Sequence, residues 1–370
     1  MRRIAEELAR SSRPLVVAGY GIRLAGEAQR FREFIDRTGL PFVTTWGGAD
    51  LVPTDHPQNV GIIGISGQRG ANKAVAACDF LLALGTHLSL PQTSTLTEEF
   101  TKARIAMVDV DRDQLAHLTL KVDVPVCAHL REFFDYVRVV LDPFGHEGNY
   151  EDSVVKFVER TEWRDACAAF KLLSPPPLEG SYAFNDAMTR LLPPGTCMVI
   201  DGGGTALYTG FQSSHVKEGS RLICSMSMSA MGSGLPEAIG ACLANDRKLT
   251  TCLIGDGSLM LNLQELQTIA THRLPIKIFV INNGGYLAIR QTQKAFQDGR
   301  YYGVGGDDLE FAHPSALADC FNIPYRSHSE DALSIDGPVV CGWDCEPDQK
   351  MVRQGYSDGK PLPLREMVYA

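Results

Sequence analysis

No apolar stretch in this 370-residue chain approaches the roughly 20 residues that a membrane-spanning helix needs. Lysine and arginine form no dense run, and the formal net charge is -9, so a nucleic-acid-binding role is disfavoured. The ten cysteines include no C-x-x-C pair. Cys341 and Cys345 are the closest two, and no His or Cys set stands near enough to complete a zinc site with them. The first residues carry early acids, Glu6 and Glu7, and no signal-peptide core follows. No internal repeat or low-complexity tract is present. These absences predict a cytoplasmic globular protein that neither crosses a membrane nor binds nucleic acid, with most thiols buried in a reducing compartment. Apolar residues at 44% and charged residues at 21% agree with that class, and the length suggests two or three domains.

Up to about residue 140 the pattern alternates strand and helix. Short buried strands are expected at 14–18, 41–45, 80–84 and 105–110, with helices at 26–38 and 71–77, which is a doubly wound α/β arrangement. Gly19, Tyr20 and Gly21 form a G-x-G without a third glycine, and no acid stands about 20 residues on at the end of a next strand. The expectation is a tight strand-to-helix turn. Residues 141–178 read as a connector, with a Pro- and Gly-containing stretch at 142–148, a charged helix over 150–173 and prolines at 175–177. A second α/β domain is expected over 179–370. It opens with a strand at 197–200 that runs into Asp201, Gly202, Gly203, Gly204 and Thr205, where glycines let backbone amides approach an anion closely. The last strand is expected at 337–340, after a short helix.

The most specific signal lies in that second domain. Gly255, Asp256 and Gly257 follow the apolar run 249–254, and Asn282 and Asn283 follow the apolar run 276–281. Between them, residues 261–272 place Leu261, Leu263, Leu266, Ile269 and Ala270 at helical spacing. A right-handed crossover makes the two strands parallel, so their carboxyl ends emerge at one edge, where ligands of open α/β sheets bind. A carboxylate and an amide oxygen would meet there, oxygen donors of the kind Mg²⁺ prefers when it shares its shell with a phosphate. Alone, the first motif is an ordinary turn and the second a strand end. The pair, with 27 positions from Asp256 to Asn283 and a strand before each, resembles the fingerprint of thiamine diphosphate (ThDP) enzymes.

The resemblance extends to the acetolactate-synthase-like group over nearly the whole chain. Matching stretches are 13–19, 61–67 with Ala71 and Asn72, 79–85, 108–111, and most specifically 201–300. It implies two doubly wound parallel-sheet domains: a central Rossmann-like domain at 1–140, and a domain binding the ThDP diphosphate and Mg²⁺ at 179–370. By the family pattern Asp256, Asn283 and the carbonyl of Gly285 would bind Mg²⁺. Gly203, Gly204, Thr205, Gly257 and Ser258 would donate to the diphosphate, with Gly255 and Tyr286 beside the cofactor. A helix starting just after Ser258 would add its positive end; Ser258 also reads as that helix's cap. Met231 aligns with the bulky residue that bends ThDP, and the carbonyl of Ser229 would accept from its amino group; packing is the other reading of Met231. Ile289, Arg290 and Gln293 fall where relatives border the substrate, although a solvated helix face would show the same pattern. Some relatives bind FAD in the central domain. The Arg and paired-acid cluster usual for it is absent after Gly85, so FAD is left open without support.

The resemblance implies decarboxylation of a 2-oxo acid such as pyruvate, with transfer of the acyl-anion equivalent to a second carbonyl. A decarboxylase of the non-ligating kind and a non-catalytic ThDP-binding or regulatory subunit are the alternatives. Ile289 stands where pyruvate-decarboxylase-type relatives often carry Glu, which favours ligation. The family's activating Glu lies on a leading pyrimidine-binding domain, and none of Glu6, Glu7, Glu27 or Glu33 can replace it. The expected partner is a small subunit of about 180 residues, the size of one domain, in a hetero-oligomer built on dimers.

Overall fold

The computed structural model describes the chain except for residues 94–99, 118–119, 142–159, 177, 226, 307, 354–355, 358–359, 362–364 and 367–370. The chain divides into two compact units, Met1–Pro175 with Gln354–Leu364 and Pro176–Arg353 with Arg365–Ala370.

In the first unit β1 (Pro14–Ala18), β2 (Phe42–Thr44), β3 (Asn59–Ile62), β4 (Phe80–Leu84), β5 (Arg104–Asp109) and β6 (Val124–Cys127) form one sheet, in the order β3-β2-β1-β4-β5-β6. Every pairing is parallel. β1 and β4 are unbroken apolar runs because both faces of a parallel sheet are covered. Val16, Ala18, Leu82 and Leu84 pack with Ile4, Phe31, Phe34 and Phe133 on one face. Leu15, Val17, Leu81 and Ala83 pack with Ala71, Val75, Trp163 and Cys167 on the other. Trp163 belongs to the helix Thr161–Lys171 and donates its indole N–H to the Pro14 carbonyl at 2.8 Å. That helix covers the first sheet rather than linking two bodies, which differs from a connector running over 141–178. The stretch 142–148 and the first part of the expected charged helix, 150–159, lie outside the described residues.

Gly19, Tyr20 and Gly21 form a tight turn into a short helix, Gly21–Leu24. Gly19 N–H donates to the Leu84 carbonyl at 2.9 Å and Gly21 N–H to the Gly85 carbonyl at 2.8 Å. A Cβ at Gly21 would lie 2.7 Å from the Gly85 Cα, so the glycines serve a backbone-on-backbone contact. At the opposite edge, Asp79 gathers Ser12 N–H at 2.9 Å, Arg13 N–H at 2.8 Å and the Ser11 hydroxyl, fixing the entry into β1.

The second unit holds β7 (Cys197–Ile200), β8 (Arg221–Ile223), β9 (Thr250–Gly255), β10 (Ile276–Asn282), β11 (Tyr325–Arg326) and β12 (Val339–Asp344), in the order β11-β12-β10-β9-β7-β8 and again all parallel. From β7 the chain passes outward to β8, then returns to the other side of β7 at β9. The switch point of this sheet is therefore the β7/β9 boundary, the place where open α/β sheets leave a crevice at the strands' carboxyl ends. The helix expected over 261–272 is split into a 3₁₀ turn, Met260–Asn262, and a helix, Glu265–Thr271, whose Leu266 and Ile269 enter the core with Leu235, Ile254 and Ile278. The last parallel strand extends past 340 to Asp344, and the helix before it, Ser329–Leu333, is short. Among the described residues no helix is long and apolar enough to cross a membrane, and no disulfide forms; seven of the ten cysteines are buried.

Candidate functional site

β9 ends at Gly255, which caps a helical turn, Asp256–Leu259. The Asp256 side chain is only 3% exposed. Its Oδ1 accepts from Gly257 N–H at 2.7 Å. Its Oδ2 accepts from the amides of Asn283 at 3.1 Å, Gly284 at 2.7 Å and Gly285 at 3.2 Å. One carboxylate therefore closes the turn after β10 onto the turn after β9. Burial pushes this carboxyl above its usual range, against the pull of the four amide bonds. The β10 turn depends on glycine: Gly284 has φ +68° and Gly285 φ +152°. Asn283 is buried; its Nδ2 donates to Thr205 Oγ1 at 3.4 Å, while its Oδ1 has no hydrogen-bond partner. A buried amide oxygen left unpaired costs about 1–3 kcal/mol. An oxygen in that state beside a carboxylate is what a hard cation would satisfy.

At the end of β7, Asp201 is fully buried. Its Oδ2 accepts from Gly203 N–H at 2.8 Å and its Oδ1 from Gly234 N–H at 3.0 Å. It thus joins the glycine turn to the loop that carries Met231. Gly203 caps the helix Gly204–Ser213. The first intrahelical bond runs from Leu207 N–H to the Gly203 carbonyl at 2.9 Å, so the amides of Gly204, Thr205 and Ala206 lie ahead of the helical ladder at the cavity wall. Cβ atoms would close this surface: one at Gly204 would lie 2.7 Å from the Ala288 Cβ, and one at Gly203 would overlap Ser258 Oγ. The loop with Met231 is also held at Gly232, whose carbonyl accepts from Asn262 Nδ2 at 2.9 Å.

One cavity collects most of the expected residues. From β7 come Gly203, Gly204 and Thr205; from β9, Gly255, Asp256, Gly257 and Ser258; from β10, Asn283, Gly285, Tyr286 and Ile289; and Met231 completes the wall. The enclosed space is about 40 Å³, well below the roughly 300 Å³ at which whole-ligand pockets begin. Ser229 is not among the lining residues. It has a left-handed conformation, φ +47°, with its carbonyl against Gly202.

Three expectations need correction. Ser258 does not cap a helix that starts after it; the cap is Gly255, and Ser258 lies inside Asp256–Leu259. The long helix whose first turn faces the cavity is Gly204–Ser213. Arg290 faces neither the cavity nor solvent: it is 7% exposed and donates to backbone carbonyls, including Val304 at 3.1 Å and Pro347 at 2.6 Å. Gln293 bonds both backbone groups of Tyr302, at 3.0 Å each, and so braces a loop. Of the three residues expected near substrate, only Ile289 lines the cavity. Reading the sequence also passed over Asp201, Asn262 and the helix that begins at Gly204. An acid two residues ahead of a glycine amide is a recognisable side-chain-to-backbone turn, and that signal would have marked Asp201.

The family model described as thiamine pyrophosphate enzyme, central domain, matches residues 1–137, and that of the C-terminal TPP binding domain matches residues 202–336. The acetolactate synthase large subunit of Pyropia yezoensis is 30% identical over 379 residues, covering 97% of this chain and 62% of that protein. The acetolactate synthase isozyme 2 large subunit of Escherichia coli is 28% identical over 300 residues, covering 80% of this chain and 51% of that protein. The chain thus spans about three fifths of the length of the first of these relatives. It belongs to the thiamine pyrophosphate enzymes and carries their central and C-terminal domains.

Proposed function

We propose that this member of the thiamine pyrophosphate enzymes is the diphosphate-binding, large subunit of a ThDP-dependent 2-oxo acid decarboxylase and carboligase, acting on pyruvate or a similar acid in the cytoplasm with a partner subunit. The observation that carries the reading is the unpaired, buried Asn283 Oδ1 beside Asp256, at a cavity walled by first-turn amides. Mg²⁺ would be held by Asp256, Asn283 Oδ1 and the Gly285 carbonyl. The amides of Gly204, Thr205 and Ala206, with Ser258, would take the diphosphate, where a helix N-terminus favours negative charge; the expected amides of Gly203 and Gly257 are instead given to Asp201 and Asp256 and shape the turns around it. Met231 would support the rings, and the Ser229 carbonyl would accept from the amino group.

Bound there, ThDP would supply a nucleophilic carbon and a sink for the electron pair left behind when CO₂ departs. The chain's own part is to bind, orient and keep water out. Asp256 acts as a fixed anion, since four amides lock its position. Ile289 and Leu287 give apolar side chains to the cavity lining, and position 289 carries no carboxyl to protonate an intermediate for early exit as aldehyde. This favours ligation over simple decarboxylation. No glutamate is among the described residues that line the cavity, so the activating acid would come from the partner's pyrimidine-binding domain. The 40 Å³ of enclosed space agrees with this chain holding one end of the cofactor.

The test combines the chain with the product of a neighbouring reading frame carrying a candidate activating Glu, plus Mg²⁺, ThDP and pyruvate, with and without an added 2-oxo acid, aldehyde or keto-sugar acceptor. The proposal expects CO₂ release only in the combination, with a hydroxyketone as product. Aldehyde as sole product would replace ligation by simple decarboxylation. Cofactor binding without turnover in any combination would favour a binding or regulatory subunit instead.

A further inference from the structure

The geometry points to Arg290 as a positioning residue that couples cation binding at the Asn283–Gly285 turn to docking of the segment 346–352. The inference rests on the cofactor reading above. Arg290 is 7% exposed, and its guanidinium reaches three separate pieces of backbone. Nη1 donates to the Pro347 carbonyl at 2.6 Å. Nη2 donates to the Val304 carbonyl at 3.1 Å and to the Gly284 carbonyl at 3.5 Å. Its acidic neighbour Asp348, at 3.6 Å, is 69% exposed and so is screened by water. The guanidinium is therefore satisfied chiefly by carbonyls that the three pieces present together.

The packing around it is equally tight. A Cβ on Gly285 would lie 2.9 Å from Arg290 Nη2, and Gly285 pairs with Gly305 across a backbone bridge. Tyr286 N–H donates to the Val304 carbonyl at 3.0 Å. The segment beyond Pro347 is laced to the same unit. The Gln349 side chain accepts from Ser181 N–H and donates to Ser181 Oγ, at 2.7 Å each, while its carbonyl accepts from Gln291 Nε2 at 3.0 Å. Val352 N–H donates to the Tyr182 hydroxyl at 3.0 Å.

A buried guanidinium tolerates the loss of a partner poorly, because its desolvation is then uncompensated. If the segment lifts away, Arg290 loses the Pro347 carbonyl and its shortest bond. It must then follow the segment or draw in water, and either change relaxes its hold on Gly284, the residue between Asn283 and Gly285. Docking of the segment and a cation-ready turn therefore favour each other. Such coupling is reciprocal: whatever factor docking adds to cation affinity, the cation adds to docking.

The experiment uses the full-length chain and two readouts: Mg²⁺ affinity at saturating ThDP by calorimetry, and hydrogen exchange at 346–352 with and without Mg²⁺ and ThDP. In the wild type, exchange at 346–352 slows when both are added. Arg290→Met weakens Mg²⁺ binding by about tenfold, within the usual range of coupling, and abolishes that slowing. Since Arg290→Met removes a buried charge and can unfold the unit, Gln349→Ala supplies the second arm. It frees the segment from Ser181 while leaving the cation ligands and Arg290 in place, and it too weakens Mg²⁺ binding. Arg290→Lys, which keeps the charge and loses the two-pronged reach, restores only part of the affinity. The coupling is overturned if the wild type binds Mg²⁺ and ThDP with unchanged exchange at 346–352 and Gln349→Ala binds as tightly; the cofactor reading then stands. A wild type that binds neither overturns that reading and the coupling with it.

Discussion

Replacing Asn283 by leucine, a side chain of similar shape, separates the cost of the site from its use. Without a divalent ion, Asn283 Oδ1 is buried and unpaired, a condition that costs about 1–3 kcal/mol. Its Nδ2 bond to Thr205 Oγ1 is long, at 3.4 Å, and returns about 0.5 kcal/mol at most. Leucine removes the orphan oxygen, so the metal-free Asn283→Leu chain should be more stable than wild type by about 1 kcal/mol. With Mg²⁺ and ThDP at a hundred times their dissociation constant, the wild type gains about 2.7 kcal/mol by mass action and the variant gains essentially nothing. The order of stability therefore reverses between the two conditions. Urea unfolding in EDTA, then in Mg²⁺ plus ThDP, measures both. A variant less stable than wild type by about 1 kcal/mol or more in EDTA, or one that keeps the full ligand-induced gain, would refute the reasoning.

Asp201→Ala strands the buried amides of Gly203 and Gly234 and should cost about 2–5 kcal/mol, with faster hydrogen exchange at both amides; unchanged exchange would mean that Asp201 does not clasp the two loops. Asp79 supplies the pH dependence. Its burial raises the carboxyl, but the Ser11 hydroxyl, the Arg13 and Ser12 amides and the Arg13 charge outweigh it, leaving the folded value below the ordinary 3.8. Its contribution is then fully present above the unfolded value and is lost as pH falls from 3.8 through the folded one. Asp79→Asn should cost about 1–2 kcal/mol near neutral pH and progressively less below 3.8, read from urea midpoints across that range. A difference independent of pH would show that the charge is not what those donors recognise.

Strands buried on both faces were legible because they are unbroken apolar runs: β1, β4 and β7 lie where the sequence pattern puts them. The Gly255–Gly257 and Asn282–Asn283 motifs were legible because each follows such a strand, and their spacing fixes the crossover. Three features were not. The helix Gly204–Ser213 is buried on all sides, so it shows no polar face to give a 3.6-residue period. The helix Thr161–Lys171 falls inside the charged helix expected over 150–173, but its packing on the first sheet was hidden: it carries Glu162, Arg164, Asp165 and Lys171, and only Trp163 and Cys167 reveal the face that packs. Arg290 was expected near substrate because the resemblance puts the stretch after Tyr286 beside it, with a solvated helix face as the other reading. Its partners are carbonyls at positions 284, 304 and 347, and main-chain acceptors distant in sequence leave no mark on composition or spacing.

The central claim is that a divalent cation, held by Asp256 and Asn283, secures a pyrophosphate at the β7/β9 switch point. Calorimetry of the full-length chain with ThDP, with Mg²⁺ and then with EDTA, tests it most directly. Saturable binding that requires Mg²⁺ and disappears in Asp256→Ala is the predicted result. ThDP binding of equal strength in EDTA, or undiminished in a folded Asp256→Ala chain, would contradict the account.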